Sequence, residues 1–270
     1  MTDGCAELLR RGDPDRWGAA RLAGPLAPRL MALYAFNLEV ARIPSVVSEP
    51  MLGEIRLQWW RDAVEEIFDG KPPRRHEVVE PLAEAIREAG LPREDFEALL
   101  DARSYDLAGP AFADRPLFDA YLDGTAGRLA RLAALALGAT EAEAGTARRH
   151  GRALGTGLLI RALPALYARG ADPIPTPEPP DRNALAESRT PDPLRETLRG
   201  IAADALERLA EARRDRMRPE LLPALLANWR GEVALRAAAR AGFDLYRDLP
   251  EPSEFARRGG LAWRALLGRW

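Results

Sequence analysis

The stretch Met31–Pro50, MALYAFNLEVARIPSVVSEP, decides how the chain is read. With the neighbouring Leu30, the residues Leu33, Tyr34, Phe36, Leu38, Val40 and Ala41 give a helix with a broad apolar face. Its one acid is Glu39, and it ends in Arg42-Ile43-Pro44-Ser45. Proline lacks the N–H an interior helical residue donates, and it restricts the residue before it, so the helix is disturbed near Pro44. Such a helix has almost nothing to react with and suits the wall of a core or cavity.

Helical spacing continues outward from it. Leu52, Ile55, Trp59, Ala63 and Ile67 recur every three to four residues. Similar patterns fill roughly 76–89, 92–107, 115–138, 141–168, 194–216, 219–240 and 259–269, and no run alternates like a strand, so the expected class is all-α. Breaks fall at Asp69–Pro73, Gly90-Leu91-Pro92 and Gly109-Pro110. The stretch 170–193 holds seven prolines and reads as a long surface excursion within one domain. The expected division is a flexible N-terminus at 1–14, a helical domain at 15–258 and an amphipathic segment at 259–270.

Composition excludes several classes. A net charge of −2 offers no basic stripe for nucleic acid. Lys71 is the only lysine among 39 basic residues, which reflects genome composition more readily than phosphate recognition. Cys5 is the single cysteine, so no internal disulfide forms, and the chain suits a reducing compartment. The N-terminal residues lack the apolar core of a signal peptide, and no apolar run is long enough to span a bilayer. Cytoplasmic placement is expected, with peripheral contact at the inner membrane through the tail GGLAWRALLGRW as a further option. There Trp263 and Trp270 alternate with Arg264 and Arg269.

Conventional site signatures are weak. His76 and His150 lack partners at metal spacing. Gly151, Gly155 and Gly157 sit in a helical pattern without the preceding strand of a nucleotide loop, and the glycines at 151 and 155 fit close helix packing better. Asp119/Asp123 and Asp244/Asp248 are four apart and would share a helical face, a spacing suited to Mg²⁺. Solvated surface acids are the simpler reading of both pairs. Asp106, after Tyr105 at the end of an apolar helix, draws more interest.

Tyr34-Ala-Phe-Asn, Val47-Ser-Glu-Pro50 and Arg56-Leu-Gln-Trp-Trp-Arg-Asp62 together resemble the start of the squalene/phytoene synthase family. Tyr105-Asp106-Leu107, Tyr121 to Gly138, Gly151 to Arg161 and Arg169-Gly170 follow in the family's order, so the resemblance covers roughly 15–250. It implies one isoprenoid synthase-like helical domain with a central cavity. It places Tyr34, Asn37, Arg42, Arg56, Tyr105, Asp106 and Arg161 as cavity candidates for substrate binding. Active members join two prenyl diphosphates head to head, with Mg²⁺ on two aspartate-rich helices neutralising the leaving group. On that register this chain has Ala41, Arg42 and Ser45 at the first motif. At the second it has Leu158, Arg161-Ala162 and Leu163-Pro164-Ala165-Leu166.

The resemblance therefore implies a member without the metal apparatus: no catalytic residue, no metal ligand and no cofactor. It is similar to a branch that includes a mitochondrial assembly factor for respiratory complex I. The implied partners are respiratory complex subunits and an isoprenoid or lipid in the cavity, and Arg42 with Arg161 is a candidate diphosphate-holding pair. The alternative is an active Mg²⁺-dependent prenyltransferase making phytoene or squalene from geranylgeranyl or farnesyl diphosphate. It would have to recruit Glu39, Glu49, Asp106 or the 119/123 pair. A helical interaction module is the fallback if the cavity is filled by side chains.

Overall fold

The computed structural model describes residues 3–47, 49–108 and 112–270. Among them no strand occurs. The helices are α1 (Asp3–Gly12), α2 (Pro14–Arg21), α3 (Ala27–Ala41), α4 (Ile43–Val46), α5 (Pro50–Phe68), α6 (Val79–Ala89), α7 (Arg93–Ala108) and α8 (Arg115–Leu122). They continue as α9 (Arg128–Ala136), α10 (Glu141–Ala168), α11 (Arg182–Ala186), α12 (Asp192–Ala212), α13 (Leu222–Leu226), α14 (Arg230–Ala238) and α15 (Glu254–Leu267). The break expected at Gly109-Pro110 falls outside the described residues, as does Ser48.

Local chemistry fixes the boundaries. α3 ends at Ala41 and α4 restarts with Pro44 in its first turn, the position where a missing N–H costs nothing. Thr140 opens α10 with a capping box: its hydroxyl accepts from the Glu143 N–H, and the Glu143 carboxylate accepts from the Thr140 N–H. The single helix expected over 115–138 is split by a π-helical turn at Asp123–Gly127. A Cβ at Gly124 would stand 2.7 Å from that of Ala102, so this turn lies close against α7. The 219–240 pattern likewise divides, into a 3₁₀ turn at Pro219–Leu221, then α13 and α14.

One expectation is corrected. The N-terminus expected to be flexible folds as α1, whose Cys5 and Leu9 are fully buried and join the core cluster that contains Leu30 and Leu33. Burial pushes the Cys5 thiol up to about 12, so it is an inert packing residue. The proline-rich stretch is anchored to the body at two points: Ile174 and Leu185 sink into a second cluster with Ile160 and Leu163 of α10. The first cluster surrounds α3 and is built from α5, α6, α7 and α9, with Phe36 edge-on to Trp60 at 5.4 Å. α10 joins the two halves, packing against α9, α12 and α14.

The glycines of α10 are what let it sit so centrally. A Cβ at Gly151 would overlap Ala130 and stand 2.7 Å from the Ala126 carbonyl oxygen. One at Gly155 would overlap Ala126, and one at Gly157 would strike the Gly231 backbone of α14. Close packing, the sequence expectation for Gly151 and Gly155, is what those two do, and the structure adds Gly157.

Candidate functional site

A cleft of about 290 Å³ opens where α3 gives way to α4, opposite α7 and the C-terminal half of α10. Ala41, Pro44 and Ser45 line one side, and Leu159, Ala162 and Leu166 line the other. Of these, Ala41, Ser45, Ala162 and Leu166 stand where the register implied by the resemblance places metal-binding acids, and they present two methyls, a hydroxyl and an isobutyl group. Arg42, of the same register, lines a different pocket.

The polar groups of the cleft are mostly committed to one another. The Arg103 guanidinium donates to Asp106 (2.9 Å), to the Asn37 amide oxygen (3.2 Å) and to the Tyr121 hydroxyl (3.4 Å). Tyr121 in turn donates to Asp106 at 2.7 Å. Burial works against the charge on Arg103, but the neighbouring Tyr121 and Asp106 outweigh it and its pKa lies above the ordinary arginine value. Burial, and then the Asp106 charge, push the Tyr121 phenol up, so it stays a donor. This is a mutual charge network in which the buried Arg103 Nε is left without an acceptor among the described residues.

Two groups remain. Asp172 lines the cleft with a buried Oδ1 that has no hydrogen-bond partner among the described residues, and burial pushes its carboxyl up. Arg169 stands exposed at the rim. Mg²⁺ requires several hard oxygens converging on one point. The cleft offers the carboxylates of Asp106, tied to Arg103 and Tyr121, and Asp172. Among the described residues no group of three or more His, Cys, Asp or Glu is placed to hold a metal ion. The donor set does not fit a magnesium–diphosphate site.

The remaining cavity candidates are dispersed. Tyr105 and Asp106 line the cleft, and Asn37 touches it only through Arg103. Tyr34 is buried in the core, and burial pushes its phenol up. Arg42 and Arg56 line a different pocket, of about 230 Å³, with Glu39, Trp59 and His76. Arg42 is ion-paired there to Glu39, one helical turn back. Arg161 points elsewhere again: it pairs with Glu251, which also accepts from Arg230. The expected Arg42–Arg161 diphosphate pair is thus corrected, because Arg42 lines the second pocket, Arg161 lines neither pocket, and each already has a carboxylate.

The acids that an active enzyme would recruit do not converge either. Of Glu39, Glu49, Asp106, Asp119 and Asp123, only Asp106 lines the cleft. Asp119 is ringed by Arg115, Arg152 and Arg208. Burial pushes its carboxyl up, but the Arg115 hydrogen bond and the three positive charges win, leaving it below the usual range. Asp123 is clasped by Arg148. Asp244 and Asp248 cap local backbone, accepting from Tyr246 and Asp244 N–H groups respectively. Sequence reading passed over Arg103 and Asp172. The Arg103/Asp106 spacing of three was the legible sign of the first, and Asp172 carried none.

Comparison with known proteins agrees with this architecture. The profile of the squalene/phytoene synthase family matches residues 10–270. The rat protein named NADH dehydrogenase (ubiquinone) complex I, assembly factor 6 is 30% identical over 250 residues, covering 90% of this chain and 75% of its own. A presqualene diphosphate synthase of Rhodopseudomonas palustris is 36% identical over 109 residues, 40% of this chain and 38% of its own. Among solved structures, a squalene synthase from Alicyclobacillus acidocaldarius superposes with a TM-score of 0.75 at 20% identity, covering 90% of this chain and 94% of its own. A dehydrosqualene synthase in complex with ligand gives 0.79 at 15%, covering 98% and 96%. The fold is the isoprenoid synthase fold, and the chain belongs to the squalene/phytoene synthase family.

Proposed function

We propose that this chain is a non-catalytic member of its family that assists assembly of the respiratory NADH:quinone-reducing complex. It acts from the cytoplasmic side at the inner membrane, with respiratory complex subunits as its protein partners. The observation that carries this reading is the cleft itself. It remains open at the family's reaction site while Ala41, Ser45, Ala162 and Leu166 occupy its walls. Without converging oxygens, nothing there neutralises a departing diphosphate. The complex I assembly factors similar to this chain over most of its length support the assembly role.

The cleft takes a neutral, mainly aliphatic ligand rather than a prenyl diphosphate. Its walls are largely apolar, its central cation is already balanced by Asp106, and Asp172 offers one acceptor oxygen for a ligand hydroxyl. No Mg²⁺ or other cofactor is needed for that.

The deciding experiment removes the gene and assays NADH:quinone reductase in membranes, alongside native-gel analysis of the complex. Loss of the assembled complex, restored by the wild-type gene, is the expected outcome. In parallel, purified protein is incubated with farnesyl or geranylgeranyl diphosphate and Mg²⁺. Appearance of a C30 or C40 hydrocarbon or its cyclopropyl diphosphate precursor would overturn the reading in favour of an active prenyltransferase.

A further inference from the structure

α15 carries an unpartnered apolar face. At about 100° per residue, Ala262, Phe255, Leu266, Gly259, Trp263 and Leu267 fall on one uncharged strip roughly 140° wide. It points outward: Phe255 is 88% exposed, Leu266 78% and Trp263 60%. The opposite face holds the helix in place. Leu261 and Ala265 pack on the first core cluster, and Arg264 lies over the Trp229 ring at 4.5 Å. A helix already anchored on one side does not need large apolar groups on the other.

Beneath the C-terminal turn of α15 lies the second feature, a pocket of about 700 Å³ between α12, α14 and α15. Five arginines line it, Arg213, Arg216, Arg236, Arg264 and Arg269, against the carboxylates of Asp215 and Glu232. Those acids are spent. Glu232 accepts from Arg213 (2.7 Å) and Arg236 (2.6 Å), and Asp215 accepts from Arg149 and Thr146. Among the described residues Arg216 and Arg269 have no carboxylate partner, while Arg264 is held over Trp229 and reaches a carbonyl of its own helix at 3.5 Å. Trp263 belongs to both features, exposed on the strip and lining the pocket.

The geometry points to a docking surface for an anionic bilayer, in which Phe255, Trp263 and Leu266 enter the acyl boundary while the exposed Arg216 and Arg269 receive lipid phosphates. Charge complementarity selects this occupant. An uncharged strip beside unpaired guanidiniums matches the boundary between apolar chains and phosphate, where Trp and Arg are favoured. A soluble acidic protein would leave the four outward apolar groups unexplained, and a second copy would bring like charges together. The inference deepens the membrane side of the proposed function and rests on that reading only for its biological setting.

The full chain is floated with vesicles of phosphatidylcholine alone or of phosphatidylcholine with phosphatidylglycerol. Binding is expected only to the anionic vesicles, and weakens as salt rises. Leu266→Ser, at a fully outward position, lowers it about tenfold. The Arg216→Gln/Arg269→Gln double variant lowers it at least as much, at about 1 kcal/mol per cation. Circular dichroism and melting curves matching wild type keep both variants interpretable. Equal binding to neutral vesicles, or none to either, overturns the proposal. So does a dimer in analytical ultracentrifugation that Leu266→Ser dissolves, which would assign the face to a second copy. These outcomes are independent of complex assembly: a gene deletion that leaves the complex intact sinks the assembly role without touching vesicle binding.

Discussion

One stripe of α10, through Gly151, Gly155, Leu159, Ala162 and Leu166, meets two different surroundings. Its first half is closed to backbone contact against the π turn and α9. Its second half opens on the cleft. The closed half is specified atom by atom, because any added methyl collides. The open half tolerates the exchange of acids for small apolar groups with the fold intact, because nothing packs there that needed them. A binding wall can therefore lose its chemistry while the helix bearing it keeps its place.

Disturbing the closed half gives the largest effect. Gly151→Ala should cost about 3 kcal/mol, the upper end of overpacking, because one obstacle is the Ala126 carbonyl, which side-chain rotation cannot clear. Ala162→Val, eleven residues along the same stripe, should shift stability by less than about 0.5 kcal/mol. Urea titration of both variants tests the contrast, and equal losses would erase it. Next comes the floor of the cleft. Asp106→Ala strips Arg103 of its carboxylate and Tyr121 of its acceptor, for an expected loss of about 2 to 3 kcal/mol in the same assay.

A smaller effect reads the closed half through pH. His150 precedes Gly151, is buried, and packs edge-on to Trp270 at 5.1 Å. Burial, with the Arg213 charge second, lowers its pKa to about 3. In the unfolded chain it titrates near 6.5. Between these values the unfolded state binds a proton that the folded state refuses, so this contribution is complete above about pH 6.5 and is lost as pH falls. Stability measured between pH 7 and 5 should decline with a slope approaching about 1.4 kcal/mol per pH unit. His150→Gln should flatten that slope.

The sequence made the closed half legible, since glycines four apart in an apolar helix have few purposes other than close approach. It also exposed what the open half lacks, because Ala41, Ser45 and Ala162 stand where a register known from the family expects acids. What it hid was long-range pairing. Arg42 and Arg161 looked like one charge pair because both flank lost motifs, yet their partners are Glu39, one turn away, and Glu251, ninety residues on. Spacing misled in the same way for Asp119 and Asp123, whose pattern suits a metal but whose neighbours are arginines. Arginine is so abundant here that nearly any acid finds one, and periodicity carries no information about which. The N-terminus failed for a related reason: α1 is short, and only its docking on α3 gives Cys5 and Leu9 their burial.

The smallest expected effect is the most direct test of the open half. Adding Mg²⁺ and inorganic pyrophosphate to the wild-type chain should leave its melting temperature unchanged, since Asp106 is held by Arg103 and Asp172, paired with Arg182 at 4.0 Å, has no second carboxylate free to join it. A quadruple variant, Ala41→Asp, Ser45→Asp, Ala162→Asp and Leu166→Asp, places four carboxylates on the two facing walls of the cleft. Those acids repel one another without metal, so this variant should start less stable and recover on addition of Mg²⁺ with pyrophosphate. Ligand at a hundred times its dissociation constant contributes about 2.7 kcal/mol, well above detection. Recovery in the variant with silence in the wild type would show that the cleft keeps the geometry of a metal site and lacks only its oxygens. A shift in the wild type would mean that the two halves of the stripe differ in packing alone.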